Sequence, residues 1–192
     1  MDIVARAHAM RDAGASVLTL CVGEPGGGAP APVRRAGAAA LQGDVGYTDP
    51  SGLPALREAI AGHYRRWYGV EVDPARVLIT TGASGAVLAA VVAAFDAGER
   101  VALARPGYPA YRNALTALGC EVLDVAAGPK ERFALTLEGL RATHASSPLA
   151  GVILASPSNP TGTLTLELPE ILAWCAAEGV RWIAHYKPDL IL

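Results

Sequence analysis

Short runs of β-branched and apolar residues alternate along most of this chain with longer segments in which apolar positions recur every three or four residues. The runs Val77–Thr80 (VLIT), Val101–Ala104 (VALA), Glu121–Val125 (EVLDV), Gly151–Ala155 (GVILA) and Val180–Ala184 (VRWIA) predict strands. Between them, Ala83–Phe95, Tyr108–Leu118, Leu137–Thr143 and Glu167–Glu178 predict helices, with Gly119 and Gly179 as stops. Strand and helix in strict alternation imply a mostly parallel sheet with helices on both faces, a three-layer α/β/α fold. Ala83–Phe95 is apolar nearly all round, which predicts a buried helix entered from VLIT through the turn TGAS.

The first part of the chain is patterned differently. Asp2–Ala13 and Pro32–Leu41 predict helices ended by Gly14 and Gly43, joined by the glycine- and proline-rich VGEPGGGAPAP. Leu53–Tyr68 is amphipathic, with Leu53, Leu56, Ile60, Tyr64 and Trp67 on one face and Arg57, Glu58, Arg65 and Arg66 largely on the other. It is expected to pack onto the sheet.

Composition narrows the class of function. A chain of 192 residues, 52% of them apolar, is long enough to bury a sizeable core. A net charge of -2, with no block of basic residues, argues against nucleic acid or an anionic membrane as the main partner and favours a small-molecule ligand. Cys21, Cys120 and Cys175 never form a C-x-x-C pair, and they read as buried thiols in a reducing compartment. The four histidines are scattered, giving no support for a metal site. No apolar signal core opens the chain and the most apolar helix is too short to span a bilayer, so the expectation is a soluble, cytoplasmic protein. Lys130 and Lys187 are the only lysines among sixteen basic side chains, so any chemistry that needs a lysine has two candidates.

Three motifs carry candidate chemistry. TTGASGA (Thr80–Ala86) is a glycine turn leading into a helix, whose first N–H groups and dipole suit an anion, with the Ser84 hydroxyl as a further donor. It has no P-loop lysine and is not G-x-G-x-x-G, which disfavours a nucleotide. RPGYPAYR (Arg105–Arg112) follows the next strand and places Tyr108 where an aromatic face could stack on a flat ring. SPSNPTGT, at the end of GVILA, holds Asn159 in a stiff turn as a side-chain donor. Each motif alone also reads as an ordinary turn or helix entry. Together they set a phosphate cradle, a stacking face and a polar donor along one edge of a sheet, which independent turns would not be expected to supply.

The ordered set VGEP (Val22–Pro25), GYTDPSGLPALREAIAGHY (Gly46–Tyr64), TTGASGA, PGYPAY and SPSNPTG resembles the class I/II aminotransferases, the fold-type I pyridoxal-phosphate enzymes. The resemblance covers nearly the whole chain up to Ala184. It implies that residues 1–45 belong to a small domain and substrate loop, and that residues 46–192 form an incomplete cofactor-binding large domain. It implies that Gly82, Ala83 and Ser84 hold the cofactor phosphate, that Tyr108 stacks on the pyridine ring, and that Asn159 donates to the ring's phenolic oxygen. It further implies that Tyr47 reaches the phosphate of a neighbouring subunit's pyridoxal 5'-phosphate in a homodimer, and that the Gly23 backbone contacts the carboxylate of an amino acid or 2-oxo acid substrate.

The sequence departs from the family after Ala184. The family's strand runs there into an Asp-Glu pair whose Asp bonds the pyridinium nitrogen, whereas this chain reads RWIAHYKPDLIL, with His185 and Tyr186 at those places. An imidazole cannot replace a carboxylate there, because a pyridinium needs a negative partner to stay protonated. The lysine that binds the cofactor covalently and the arginine that binds the substrate carboxylate lie further along in the family. No catalytic residue is therefore assigned; Lys130 reads as a loop residue, and Lys187 and Asp189 fall in the anomalous tail. The resemblance thus implies a C-terminally truncated member, with a frameshift just after Ala184 as the hypothesis for its origin, and absence of a family-like continuation in any frame downstream would count against it. Unpaired sheet edges and uncovered apolar faces are expected to follow.

Several functions are compatible with these residues. An aminotransferase by family, inactive as this chain, leads; a pyridoxal-phosphate lyase or decarboxylase of the same fold would share the cofactor, since bond choice at Cα depends on residues mostly outside this segment. A non-catalytic remnant and a nucleotide-binding α/β domain are the other classes, and the latter predicts thermal stabilisation by a nucleotide.

Overall fold

The computed structural model describes residues 2–20, 23 and 27–186. The chain divides into two compact units, Met1–Thr48 and Asp49–Leu192. The first holds α1 (Asp2–Asp12) and α2 (Ala31–Ala40). Gly14 ends α1 in the left-handed region at φ 85°, where its N–H reaches the Arg11 carbonyl. Residues Val17–Leu20 return beside α1 and border a shallow cavity with Ile3, Ala7 and Met10. The stretch Cys21, Val22 and Glu24–Gly26, which carries most of VGEP, lies outside the described residues.

The second unit contains α3 (Pro54–Tyr68), a 3-10 turn at Pro74–Arg76, α4 (Gly82–Ala94), β1 (Arg100–Arg105), α5 (Pro109–Ala117), β2 (Glu121–Ala126), α6 (Leu137–Ser146), β3 (Gly151–Ser156), α7 (Leu168–Glu178) and β4 (Arg181–Tyr186). The four strands form one sheet in the order β2-β1-β3-β4, every pair parallel. Alternation along each strand sends successive side chains to opposite faces. Val101, Leu103 and Ile153 therefore pack with Val87, Val91, Phe95, Tyr111 and Leu115 of the α4–α5 layer. Ala102, Val152 and Leu154 pack with Leu140, Ile171, Trp174 and Cys175 of the α6–α7 layer. Helices lie on both faces of the sheet, which is the three-layer α/β/α arrangement expected from the alternating pattern, while at the β4 edge Trp182, 48% exposed, and Ala184 are left uncovered.

Three expectations need correction. Val77–Thr80 is not a strand: the Ile79 N–H donates to the Ser51 carbonyl at 3.0 Å, and the Val77 carbonyl accepts from Arg57 Nε at 3.0 Å. Arg57 also reaches the Pro74 carbonyl and Ser51 Oγ, so this segment spends its backbone groups on a guanidinium and a turn rather than on a ladder. The helix Ala83–Phe95 is not buried all round. Val87 and Val91 face the sheet, whereas Leu88 and Val92 are 46% and 61% exposed, because only one side of α4 meets the sheet layer. The amphipathic α3 likewise leaves Leu53, Leu56, Tyr64 and Trp67 exposed and buries Ala61 alone. None of its residues joins either core cluster.

Candidate functional site

In the order β2-β1-β3-β4, the chain leaves β1 toward β2 on one side and leaves β3 toward β4 on the other. The loops after β1 and β3 therefore diverge and open a crevice at the carboxyl ends of the two strands, the place where open parallel sheets bind ligands. A cavity of about 750 Å³ lies there, floored by Leu103, Ile153 and Leu154 and walled by residues of both loops, including Tyr108 and Asn159.

Tyr108 comes from the β1 loop. It is the residue before Pro109, and Pro at the first helical position is pre-set for the helix while forcing the residue ahead of it to extend. Tyr108 has ψ 121° for that reason, and its half-buried ring meets Tyr111 edge-on with centroids 5.4 Å apart. Tyr111 is 4% exposed and its hydroxyl lies 2.5 Å from His185 Nδ1. Burial, reinforced by Tyr108, pushes the Tyr111 phenol up to about 12, so it stays neutral and can donate to that nitrogen.

Asn159 comes from the β3 loop. The Ser158 N–H donates to the Thr163 carbonyl at 2.8 Å and the Gly162 N–H to the Ser158 carbonyl at 2.7 Å, closing a tight turn with Asn159 near its tip. Buried Ser156 anchors the return leg, its Oγ accepting from the Thr165 N–H at 3.2 Å. The Arg105–Pro106, Ser156–Pro157 and Asn159–Pro160 bonds, all in these two loops, are cis.

Gly82, Ala83 and Ser84 form the first turn of α4 and do not line this cavity. Their edge of the sheet follows from the other end of the helix. Phe95, directly after α4, packs against Gly151 at the start of β3, so α4 runs antiparallel to the strands. Its thirteen residues rise about 20 Å, as far as a six-residue strand extends, which returns Ser84 to the carboxyl edge. Thr81 makes no side-chain capping bond there, Gly82 sits at φ 71°, and a Cβ on Gly82 would meet nothing within 4 Å. The Gly82 N–H turns back to the Thr80 carbonyl at 2.9 Å, and the next N–H groups of this first turn, those of Ala83 and Ser84, have no intrahelical acceptor.

Tyr47 and Gly23 are exposed residues of the first unit. Lys130 lines a different cavity, with Glu138, Thr161 and Glu167. Lys187 and Asp189 lie outside the described residues. Cys120 and Cys175 are buried free thiols, whose acidities burial lowers by pushing each thiol upward. Among the described residues no group of three or more His, Cys, Asp or Glu could hold a metal ion, and no helix is long and apolar enough to cross a membrane.

The model of the family described as aminotransferase class I and II matches residues 15–182. The chain belongs to this family. It is 50% identical over 188 residues to a valine–pyruvate aminotransferase of Mycobacterium tuberculosis, covering 96% of this chain and 48% of that protein. A crystal structure of an aminotransferase from Mycobacterium tuberculosis superposes with a TM-score of 0.88 at 48% identity, over 96% of this chain and 48% of that one. The aspartate aminotransferase of Thermus thermophilus, solved with maleate, gives 0.88 at 30% identity, over 96% and 49%. The chain spans about half the length of the curated relatives it matches. Class I and II aminotransferases depend on pyridoxal phosphate and have the fold-type I architecture, whose parallel sheet and flanking helices are those described above.

The sequence reading gave no role to Arg105, Arg112 or Tyr111, although all three lie in or beside RPGYPAYR and line the cavity. The two arginines closing that motif were a visible signal. Their shared partner Asp124 was not, because it comes from the neighbouring strand.

Proposed function

We propose that this chain carries the cofactor-facing rim of a pyridoxal-phosphate-dependent aminotransferase that moves an amino group from an amino acid to a 2-oxo acid. The observation that carries this reading is the meeting of Tyr108 and Asn159 at one cavity, at the point where the sheet's connections diverge. The residues present fit three parts of the cofactor. The open first turn of α4, Gly82 to Ser84, suits the phosphate; the half-exposed Tyr108 ring suits the pyridine face; the Asn159 amide suits the phenolic oxygen. At the ring nitrogen they do not fit. His185 stands where the family has a carboxylate, and its Nδ1 is engaged by Tyr111, so no role toward that nitrogen is assigned.

When bound, the cofactor supplies the electron sink that lets a proton leave the substrate's Cα. This chain's own residues bind and orient: α4 fixes the phosphate end, Tyr108 fixes the plane of the ring, and Asn159 fixes its rotation. In the same reading residues 1–45 contribute to the small domain and substrate loop and residues 46–192 to the large domain. Tyr47 then serves the site of a second subunit in a cytoplasmic homodimer, and the Gly23 backbone meets the substrate carboxylate. Valine and pyruvate, named for the Mycobacterium tuberculosis relative, are the first substrate pair to assay.

The test is titration of the full chain with pyridoxal phosphate, followed by absorbance, with pyridoxal as the control lacking phosphate. Saturable binding of one equivalent is expected, with pyridoxal weaker. Loss of a stacking contact of about 0.5–1.5 kcal/mol makes Tyr108→Ala bind roughly two- to tenfold more weakly. Because Lys130 faces the other cavity, borohydride is expected to leave Lys130 unmodified in a peptide map. Equal affinity in wild type, Tyr108→Ala and Asn159→Ala would sink the proposal.

A further inference from the structure

Among the described residues, the cavity is lined by two arginines and by no aspartate, glutamate, lysine or histidine. Arg105 is the last residue of β1, and Arg112 lies seven positions on, in the early part of α5. Both reach one carboxylate, that of Asp124 on β2, whose strand position pairs with Leu103. Arg105 Nη1 donates to Asp124 Oδ2 at 3.1 Å, and Arg112 Nη2 donates to Oδ1. Each carboxylate oxygen thus takes one arginine.

This is a wasteful way to neutralise charge. A single arginine can satisfy a carboxylate through its own fork, whereas here two guanidiniums share one, and one unit of positive charge is left over. Each guanidinium has five N–H donors, and with side chains 74% and 44% exposed the two retain donors toward the solvent side. As a stability device the arrangement is poor, since exposed ion pairs contribute little. As a binding device it is well formed: Asp124 orders two flexible side chains ahead of any ligand, which lowers the entropy lost when an anion arrives.

We infer that Arg105 and Arg112, held by Asp124, form an oxyanion-docking site on the cavity wall for a carboxylate or phosphate group of the small molecule that enters. The inference stands apart from the cofactor assignment, which places a phosphate at the first turn of α4. It concerns a second anionic group, at the β2 side of the same cavity, and does not depend on what the first one is.

The test follows the arginine Nε–H signals of the 15N-labelled full chain during separate titrations with inorganic phosphate and with acetate, against sodium chloride at equal ionic strength. Saturable shifts at Arg105 and Arg112 are expected with at least one oxyanion and not with chloride, and the tighter of the two identifies the class of group. Arg105→Gln, followed at the Arg112 signal, and Arg112→Gln, followed at the Arg105 signal, are each expected to weaken binding at least threefold. Circular dichroism and thermal melts establish that each variant, substituted at an exposed side chain, is folded. Matching shifts with chloride, or one affinity shared by wild type and both arginine variants, overturns the site. Oxyanion binding without pyridoxal phosphate binding overturns the cofactor proposal alone, and the reverse outcome overturns this one alone.

Discussion

Gly151→Ala tests the contact that orients α4 and so the edge at which Ser84 lies. A Cβ at position 151 would stand 2.1 and 2.4 Å from two atoms of the Phe95 ring and 2.9 Å from the Arg181 carbonyl oxygen. Carbon atoms in a packed core settle at about 3.5–4.0 Å, so the ring would have to retreat by more than an ångström. It has little room to do so. Phe95 is 7% exposed, belongs to the α4–α5 core cluster, and has the Arg181 guanidinium 5.2 Å from its ring centroid. Overpacking of this kind costs about 1–3 kcal/mol. For a chain of this length, about 2 kcal/mol corresponds to a fall in Tm of roughly 4–8 °C. The assay is thermal melting of the Gly151→Ala chain beside the same substitution in a Phe95→Leu background, where the smaller side chain frees the space. The cost of Gly151→Ala is expected to shrink by about 1 kcal/mol or more in that background, the coupling typical of residues in contact. An unchanged Tm in the single variant, or the same cost in both backgrounds, would show that Phe95 does not pin the end of α4 and would remove the reason for placing Ser84 at the carboxyl edge.

Other consequences can be measured on the same protein. Tyr111 should ionise only near pH 12 when absorbance at 295 nm is followed with rising pH, and Tyr111→Phe should delete that late component. Its folded pKa lies above the ordinary 10.0, so its contribution to stability is complete below about pH 10 and is lost as pH rises toward about 12; constant stability over that window would contradict the buried, neutral phenol. Leu115→Ala removes a fully buried side chain from the layer beneath Tyr108, and urea melts should show a loss of about 2–5 kcal/mol. Arg57→Met should loosen residues 74–79, seen as faster amide exchange at Ile79, because the guanidinium that holds the Pro74 and Val77 carbonyls is gone; unchanged exchange would refute its role.

The layers were legible in the sequence because alternation of strand-like runs with helical periods leaves few topologies, and because glycine and proline act locally. Gly119 and Gly179 stop helices where the chain turns, and Pro109 and Pro160 hold Tyr108 and Asn159 in loops whatever lies around them. Strand pairing is a different matter, since a strand exists only where another backbone takes its hydrogen bonds. VLIT has the side chains of a strand, yet its carbonyl and N–H groups meet Arg57 and Ser51, which no local pattern announces. Burial of α4 failed as an expectation for a related reason: apolar composition on every side says what a helix can bury, while the neighbours decide what it does bury.

The same division runs through the site. Composition and motif order on their own determined that a glycine turn, an aromatic and an amide donor each follow a run of strand-like residues. Only the tertiary structure decided that β1 and β3 are adjacent with their connections diverging, which is what makes one cavity of the Tyr108 and Asn159 loops. It alone brought Asp124 between Arg105 and Arg112, and Tyr111 against His185. The physical reason is distance along the chain. Turns and helix caps are set by neighbours a few residues away, whereas a charge cluster or a ligand crevice depends on parallel strands whose partners lie tens of residues apart.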